Sequence, residues 1–191
     1  MKIETKKKLL QSAKELFAKK GYYETKVSDI VERANVAQGT FYIYFKSKEE
    51  IFLELIKTLH QELLQKLEVY LNVETDYQTT IKSLVKEFLT EVYNNKEIAE
   101  IFFSQLFGLN QEFKQLYIKK ISDIQQLLFE VLKKYFPEEK SRILSTIILG
   151  FIRQIFFNCL INKNFNLDQM VSKAEEGIDI IFQGVNREVI T

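Results

Sequence analysis

A single proline, Pro137, and six glycines are the only strong helix breakers in 191 residues. Their scarcity leaves the chain long uninterrupted segments with short connections between them. Within those segments apolar residues recur every three or four positions. Leu9, Leu10, Ala13, Leu16 and Phe17 form one stripe, and Phe52, Leu55, Ile56, Leu59, Leu63 and Leu67 another. Ile81, Leu84, Val85, Phe88, Leu89 and Val92 repeat the pattern, as do Leu116, Ile121, Ile124, Leu128 and Val131. This is the period of an amphipathic helix, and no segment alternates apolar and polar residues as a strand would. The sequence predicts an all-α fold of about nine helices.

Local signals mark several ends. Gly21 stops the first helix as a left-handed cap, and Asn35, which tolerates positive φ, ends a short helix over 27–34. Ser47 and Glu50 have capping-box spacing and open a long helix. Pro137 suits the first turn of the next-to-last helix, and Asp168 is the expected cap of the last.

The most apolar window, 143–161, has membrane length, yet Arg153 and Gln154 stand at its middle and Asn158 follows. Such residues are costly in lipid, so the window reads as a buried helix at a protein interface. Arg153 is expected to meet a carboxylate across that interface or, as the alternative, an anionic ligand head group, since an unpaired buried charge is expensive. The N-terminal MKIETKKKLL lacks the apolar core of a signal peptide. A cytoplasmic protein with no membrane partner is expected. One Cys and one His exclude a disulfide framework and argue against a metal site, and no cofactor is expected. Catalysis is argued against as well, because His60 and Cys159 lie on separate stripes and no glycine-rich phosphate loop is present.

Charge is distributed unevenly. Residues 1–50 hold 11 Lys and Arg against 7 Asp and Glu, whereas the whole chain is only +1. A basic head on an acidic body points toward a polyanion at one end.

That head contains NVAQGTFYIYFKSKEE, residues 35–50, with four rings in five positions. A helix over 27–34, a short turn, and a helix over 38–44 have helix-turn-helix spacing. Phe41 and Phe45 share one face, suited to packing on Ile30 and Val36. Gln38, Gly39, Thr40, Tyr42, Ile43 and Tyr44 then point outward. In this motif the second helix enters the major groove. Gly39 allows close approach of the backbone to phosphate, while Thr40 and both tyrosine hydroxyls are phosphate donors. Gln38 matches adenine edges and Ile43 a thymine methyl. Lys48 adds charge at a helix N-terminus, where phosphate is already favoured. From helical geometry alone, Tyr42 and Tyr44 face either DNA or other protein surface.

The run Gly21-Tyr22, Lys26-Val27-x-x-Ile30 and Asn35 through Glu50 resembles the TetR family of bacterial transcriptional regulators. The likeness covers about the first 55 residues by motif and the remainder by length and helix count. It implies a DNA-binding helix-turn-helix domain over 1–47 and a ligand-binding and dimerisation domain over 48–191. Its implied DNA contacts fall on Gln38, Gly39, Thr40, Tyr42, Tyr44 and Lys48, and Lys26 and Ile43 complete the candidate set. Asn35 stands where glycine is usual, Ala37 where a capping Ser or Thr is common, Gln38 where Lys or Arg is frequent and Val31 where alanine is usual. The resemblance further implies a homodimer on double-stranded DNA, a palindromic operator and repression relieved by a small molecule.

Sixteen Phe and no Trp give an apolar interior suited to a lipophilic effector, and the head and the NKNFNLDQMV segment are similar to fatty-acid-metabolism regulators of the family. Candidate pocket residues are His60, Phe88, Phe102, Phe103, Phe107 and Tyr117. Ile148, Ile152, Phe156, Ile178, Ile181 and Phe182 are the expected dimer contacts, with Gly150, Gly177 and Gly184 allowing close helix approach. The rival expectation is a helical protein-interaction module that binds no DNA sequence selectively.

Overall fold

A computed structural model describes residues 2–106, 111–161 and 166–187. Among these there are nine α-helices and no strand, as expected: α1 (Lys2–Lys20), α2 (Val27–Ala34), α3 (Gln38–Tyr44), α4 (Lys48–Glu68), α5 (Tyr77–Asn94), α6 (Lys96–Leu106), α7 (Gln111–Leu132), α8 (Glu138–Ile161) and α9 (Leu167–Arg187). A single 3-10 turn, Val69–Leu71, follows α4.

The ends of these helices follow from a few residues. Gly21 takes φ +83° and donates its N–H to Phe17 O at 2.9 Å, closing α1. Asn35 takes φ 52°, the left-handed conformation that only a few non-glycine residues adopt cheaply, and closes α2. Ser47 Oγ accepts the N–H of Glu50 at 3.2 Å, while the Glu50 carboxylate reaches back to the N–H of Lys46. Asp76 Oδ1 accepts the N–H of Thr79 and starts α5. At α9 the cap is Asn166 and not Asp168: Asn166 and Gln169 exchange two 3.0 Å bonds, side chain to backbone in each direction. Asp168 already lies in the first turn, where its charge complements the helix N-terminus. Pro137 sits one residue earlier than expected, its carbonyl accepting the N–H of Ser141 at 2.9 Å.

The chain forms two compact units, residues 1–61 with 97–115, and residues 62–96 with 116–191. In the first, α1 lies against α2 and α2 against α3. Its core joins Leu9, Ala13 and Phe17 of α1, Ile30 of α2, Phe41 of α3, Phe45 just beyond it, and Ile51 and Phe52 of α4. The Phe17 and Phe52 rings meet edge to face at 5.3 Å, and Phe52 continues to Phe113 at 6.0 Å. Edge-to-face contacts of this kind add to the area that the rings bury.

In the second unit α9 packs against α5 and α8. Leu84 and Leu89 of α5, Leu128 and Leu132 of α7, Ile148 and Ile152 of α8, and Met170, Ile178 and Phe182 of α9 are all buried. Phe182 stacks on Phe136 and meets Tyr77 edge to face at 4.9 Å. A Cβ on Gly177 would stand 2.1 Å from the Phe151 ring, so α8 and α9 approach closely through this glycine. The stretch Glu138–Leu160 is long and apolar enough, by length and composition, to cross a membrane. Here it packs on α9 and α5 as a helix of this unit.

Removing the Phe182 ring leaves a cavity at the junction of α9, Tyr77 and Phe136. Phe182→Ala is expected to lower unfolding stability by about 3–5 kcal/mol, measured by chemical denaturation.

Candidate nucleic-acid interface

The helix-turn-helix is built by α2, the turn Asn35–Ala37 and α3. The left-handed Asn35 lets its own N–H reach Glu32 O and the N–H of Val36 reach Val31 O. Both bonds satisfy carbonyls at the end of α2 and redirect the chain within three residues. Ala37 gives α3 no side-chain cap, and extended Phe45 ends that helix after seven residues.

Burial then decides which face of α3 is free. Phe41 and Phe45 are withdrawn completely or nearly so. Tyr42 is 54% exposed and Ile43 is 73% exposed, large apolar areas to leave in water. Gln38 and Gly39 are exposed, while Thr40 and Tyr44 are half-buried. Lys26, at the start of α2, is exposed. A Cβ at Gly39 would meet no atom within 4 Å, so nothing inside the protein requires glycine there.

Lys48 is placed differently from the other candidate contacts. It is half-buried, and its ammonium donates to the carbonyls of Tyr22 at 2.8 Å, Thr25 at 2.9 Å and Tyr23 at 3.3 Å. It also lies 4.5 Å from the centre of the Tyr22 ring. Burial, with the charge of Glu49 nearby, pushes the Tyr22 phenol up to about 12. Two polar pairs join α1 to α2, Lys20 with Asp29 and Arg33 with Glu15. The hydrogen bond from Lys20 holds the Asp29 carboxyl below its usual range, and those from Gln11 and then Arg33 do the same for Glu15. Folded values that lie low stabilise at neutral pH, and that contribution is lost as the pH falls through the carboxylate range.

The pocket candidates occupy both units. In the first, His60 and Phe102 are buried and Phe103 is half-buried, with the Phe102 ring 6.1 Å from Phe113. In the second, Phe88 and Tyr117 are half-buried. Phe107 lies outside the described residues. His60, Phe88, Phe102, Phe103 and Tyr117 do not line either of two described clefts, one of about 550 Å³ over Ile143, Ile147 and Ile181, the other of about 490 Å³ over Glu15, Arg33 and Glu97. Lys120, three residues beyond Tyr117 on α7, is half-buried, and burial pushes its ammonium from the usual 10.5 down to about 8.

The expected dimer contacts lie mostly in the interior of the protomer. Ile148, Ile152, Phe156, Ile178 and Phe182 are buried inside the protomer and belong to its own core, and only Ile181 stays half-exposed beside the larger cleft. The free apolar area lies on a second stripe: Ile143, 55% exposed, with Ile147 and Phe157 on α8, and Ile180, 62% exposed, on α9. Gly150 and Gly184 are open to solvent, whereas Gly177 serves contact within the chain. Arg153 is exposed in the protomer. The sequence carried a signal for this stripe in the spacing 143, 147, 150, 154 and 157. Gln154 and Gly150 within it hid the apolar character, and the neighbouring stripe is the more hydrophobic.

A short helix after a tight turn, with one apolar face seated on α2 and the other presented to solvent, defines the class: a helix-turn-helix DNA-binding protein. Residues 9–55 match the family of bacterial regulatory proteins described as tetR, and residues 79–181 match the tetracyclin repressor-like C-terminal domain. The chain is 31% identical over 196 residues to the uncharacterized HTH-type transcriptional regulator YdgC of Bacillus subtilis (strain 168), spanning 96% of this chain and 93% of that protein. A transcriptional regulator of the TerR/AcrR family from Aquifex aeolicus VF5 superposes with a TM-score of 0.77 at 37% identity, over 93% of this chain and 99% of that one. FadR of Bacillus subtilis, solved with stearoyl-CoA, shares the fold with a TM-score of 0.71 at 18% identity, over 91% of this chain and 95% of that one. The chain belongs to the TetR family of transcriptional regulators, and it is not an enzyme.

Two measurements follow from this geometry. Gly39→Ala is expected to raise stability by roughly 0.5–1 kcal/mol, because alanine favours the helix, while it weakens binding to DNA that the bare backbone would approach. A thermal melt beside a binding titration separates the two effects. For Lys120 the folded value lies below the unfolded one, so between about pH 8 and 10.5 the unfolded chain binds more protons and stability rises with pH. Lys120→Met is expected to flatten that rise, seen in denaturation midpoints across the range.

Proposed function

We propose that the protein is a ligand-responsive repressor that binds a palindromic operator as a homodimer and leaves it on binding a lipophilic effector of the fatty-acyl type. The observation that carries this reading is the outward face of α3, where Tyr42 and Ile43 stand in solvent beside Gln38 and Gly39. In this reading residues 1–47 bind DNA and 48–191 bind ligand and dimerise, in the cytoplasm, where the operator is. Lys26, Gln38, Gly39, Thr40, Tyr42, Ile43 and Tyr44 are the candidate DNA contacts.

The partner for the exposed stripe of α8 and α9 is a second copy of the chain. Ile143, Ile147, Phe157 and Ile180 offer apolar area, and Gly150 and Gly184 leave room for a facing helix. An isologous pairing of such a surface gives a two-fold axis, and a two-fold protein reads a palindrome with half-sites about 34 Å apart. The effector class is supported by the stearoyl-CoA held by the related FadR and by the phenylalanine-rich interior of this chain. Phe88 and Tyr117 are effector candidates in one unit, and His60, Phe102 and Phe103 in the other. To shift an operator-bound population from 99% to 1%, the effector must prefer the released state by about 5.5 kcal/mol.

Selection of bound duplexes from a random library, with Tyr42→Ala beside wild type, tests the DNA reading. An enriched palindrome that the variant no longer selects is expected; enrichment of nothing by folded wild type would sink it. Ile147→Asp is expected to convert the dimer to a monomer by light scattering and to reduce operator affinity about tenfold or more, since one half-site contact is lost. Acyl-CoA species are expected to raise the melting temperature and release the duplex, and native mass spectra without any adduct or shift would remove them as effectors.

A further inference from the structure

Lys48 is the first residue of α4, immediately after the cap Ser47, and its side chain leaves α4 for the turn between α1 and α2. An ammonium has three hydrogens. Three carbonyls converge on this one, those of Tyr22, Tyr23 and Thr25, at 2.8, 3.3 and 2.9 Å. The Tyr22 ring closes a fourth side at 4.5 Å. The turn is built to present these carbonyls inward. Gly21 enters it at φ +83°, the fully buried Thr25 donates its hydroxyl to Gly21 O at 2.7 Å, and Tyr22 is buried against Phe17 and Phe52. Hydrogen bonds from a charged donor are the stronger kind, and all of these act on one six-residue turn.

The far end of that turn is Lys26, from which α2 starts, and α2 carries α3 on its buried face. An ion pair with phosphate would have to draw the Lys48 ammonium away from at least one carbonyl, leaving that carbonyl without its donor. Water can take the donor's place at the exposed Tyr23 carbonyl, but at the part-buried carbonyls of Tyr22 and Thr25 the cost of an unmade bond opposes the exchange.

We propose that Lys48 is a positioning residue for operator recognition, holding the 21–26 turn and through it the α2–α3 pair, and not a phosphate contact. The proposal rests on the DNA-binding reading of α3. It predicts that substitutions at Lys48 damage discrimination among sequences rather than general attraction to DNA. Phosphate contacts are felt equally on every sequence and set the salt dependence, whereas the aim of α3 matters only for base contacts.

The test uses the full chain and two duplexes, the one enriched from a random library and a scrambled version. Binding is measured by fluorescence anisotropy from 50 to 200 mM salt, well below the melting temperature of each protein. Lys48→Met removes the donors, and Lys48→Arg keeps the charge but cannot direct a planar fork at three converging carbonyls. Thr25→Val loosens the same turn while leaving every charge in place. All three are expected to lose about tenfold or more on the enriched duplex, with scrambled binding and the salt slope unchanged.

The proposal is overturned if Lys48→Arg binds as wild type while Lys48→Met weakens on both duplexes and lowers the slope by about 0.9, the signature of one lost phosphate contact. It is also overturned if the variants melt earlier but discriminate as before, which would make the clamp a matter of stability alone. Wild type with no preference between the duplexes would overturn the DNA reading itself, and the proposal with it. That result is read from the wild-type titration alone.

Discussion

Phe41 and Phe45 are four residues apart, and both rings are taken out of water by the packing of the first unit. A seven-residue helix has room for one inward stripe only. Once those two rings occupy it, Tyr42 and Ile43 must face outward, and no rotation of α3 buries them without exposing the phenylalanines. Each buried aromatic contributes on the order of 2–3 kcal/mol. The exposed face of α3 is therefore a by-product of core packing: the hydrophobic effect withdraws one face and leaves the other in solvent.

The same logic sets the orientation of that surface. The edge-to-face contact of Phe17 with Phe52 ties α1 to α4, and the buried Tyr22 ring packs against both. On this apolar base lie the Lys48 bonds to the 21–26 turn and the pairs Lys20–Asp29 and Arg33–Glu15 between α1 and α2. Exposed ion pairs are weak one at a time, but hydrogen bonds from fixed donors restrict angles in a way that apolar contact does not. A base-reading helix needs that restriction, since a misplacement of an ångström separates a hydrogen bond from none.

In the second unit the long helix α8 answers two demands at once. One of its stripes, through Leu144, Ile148, Ile152 and Phe156, completes the protomer, and the neighbouring one, through Ile143, Ile147 and Phe157, stays open. A helix apolar on both stripes reads as membrane-like by composition, and its hydropathy alone does not tell the two cases apart. Gln154 and Asn158, bonded to each other on the exposed side, keep that face compatible with water before any partner covers it.

Sequence by itself determined the helical class, the left-handed stops at Gly21 and Asn35, the cap at Ser47 and the inward pairing of Phe41 with Phe45. Each of these depends on residues within a few positions of one another, where propensity, φ and hydrogen bonding are local matters. It did not determine that Asn166 would replace Asp168 as the cap of α9, because two capping residues stood two apart and their neighbours chose between them. Nor did it determine which stripe of α8 would face inward, since a register difference of one residue turns a helix by about 100° and both stripes were apolar. The destination of the Lys48 ammonium was equally out of reach, because its three carbonyls lie 23 to 26 residues away along the chain. Only the tertiary structure decided these, for the common reason that each depends on which distant groups the packing of the core brings within bonding distance.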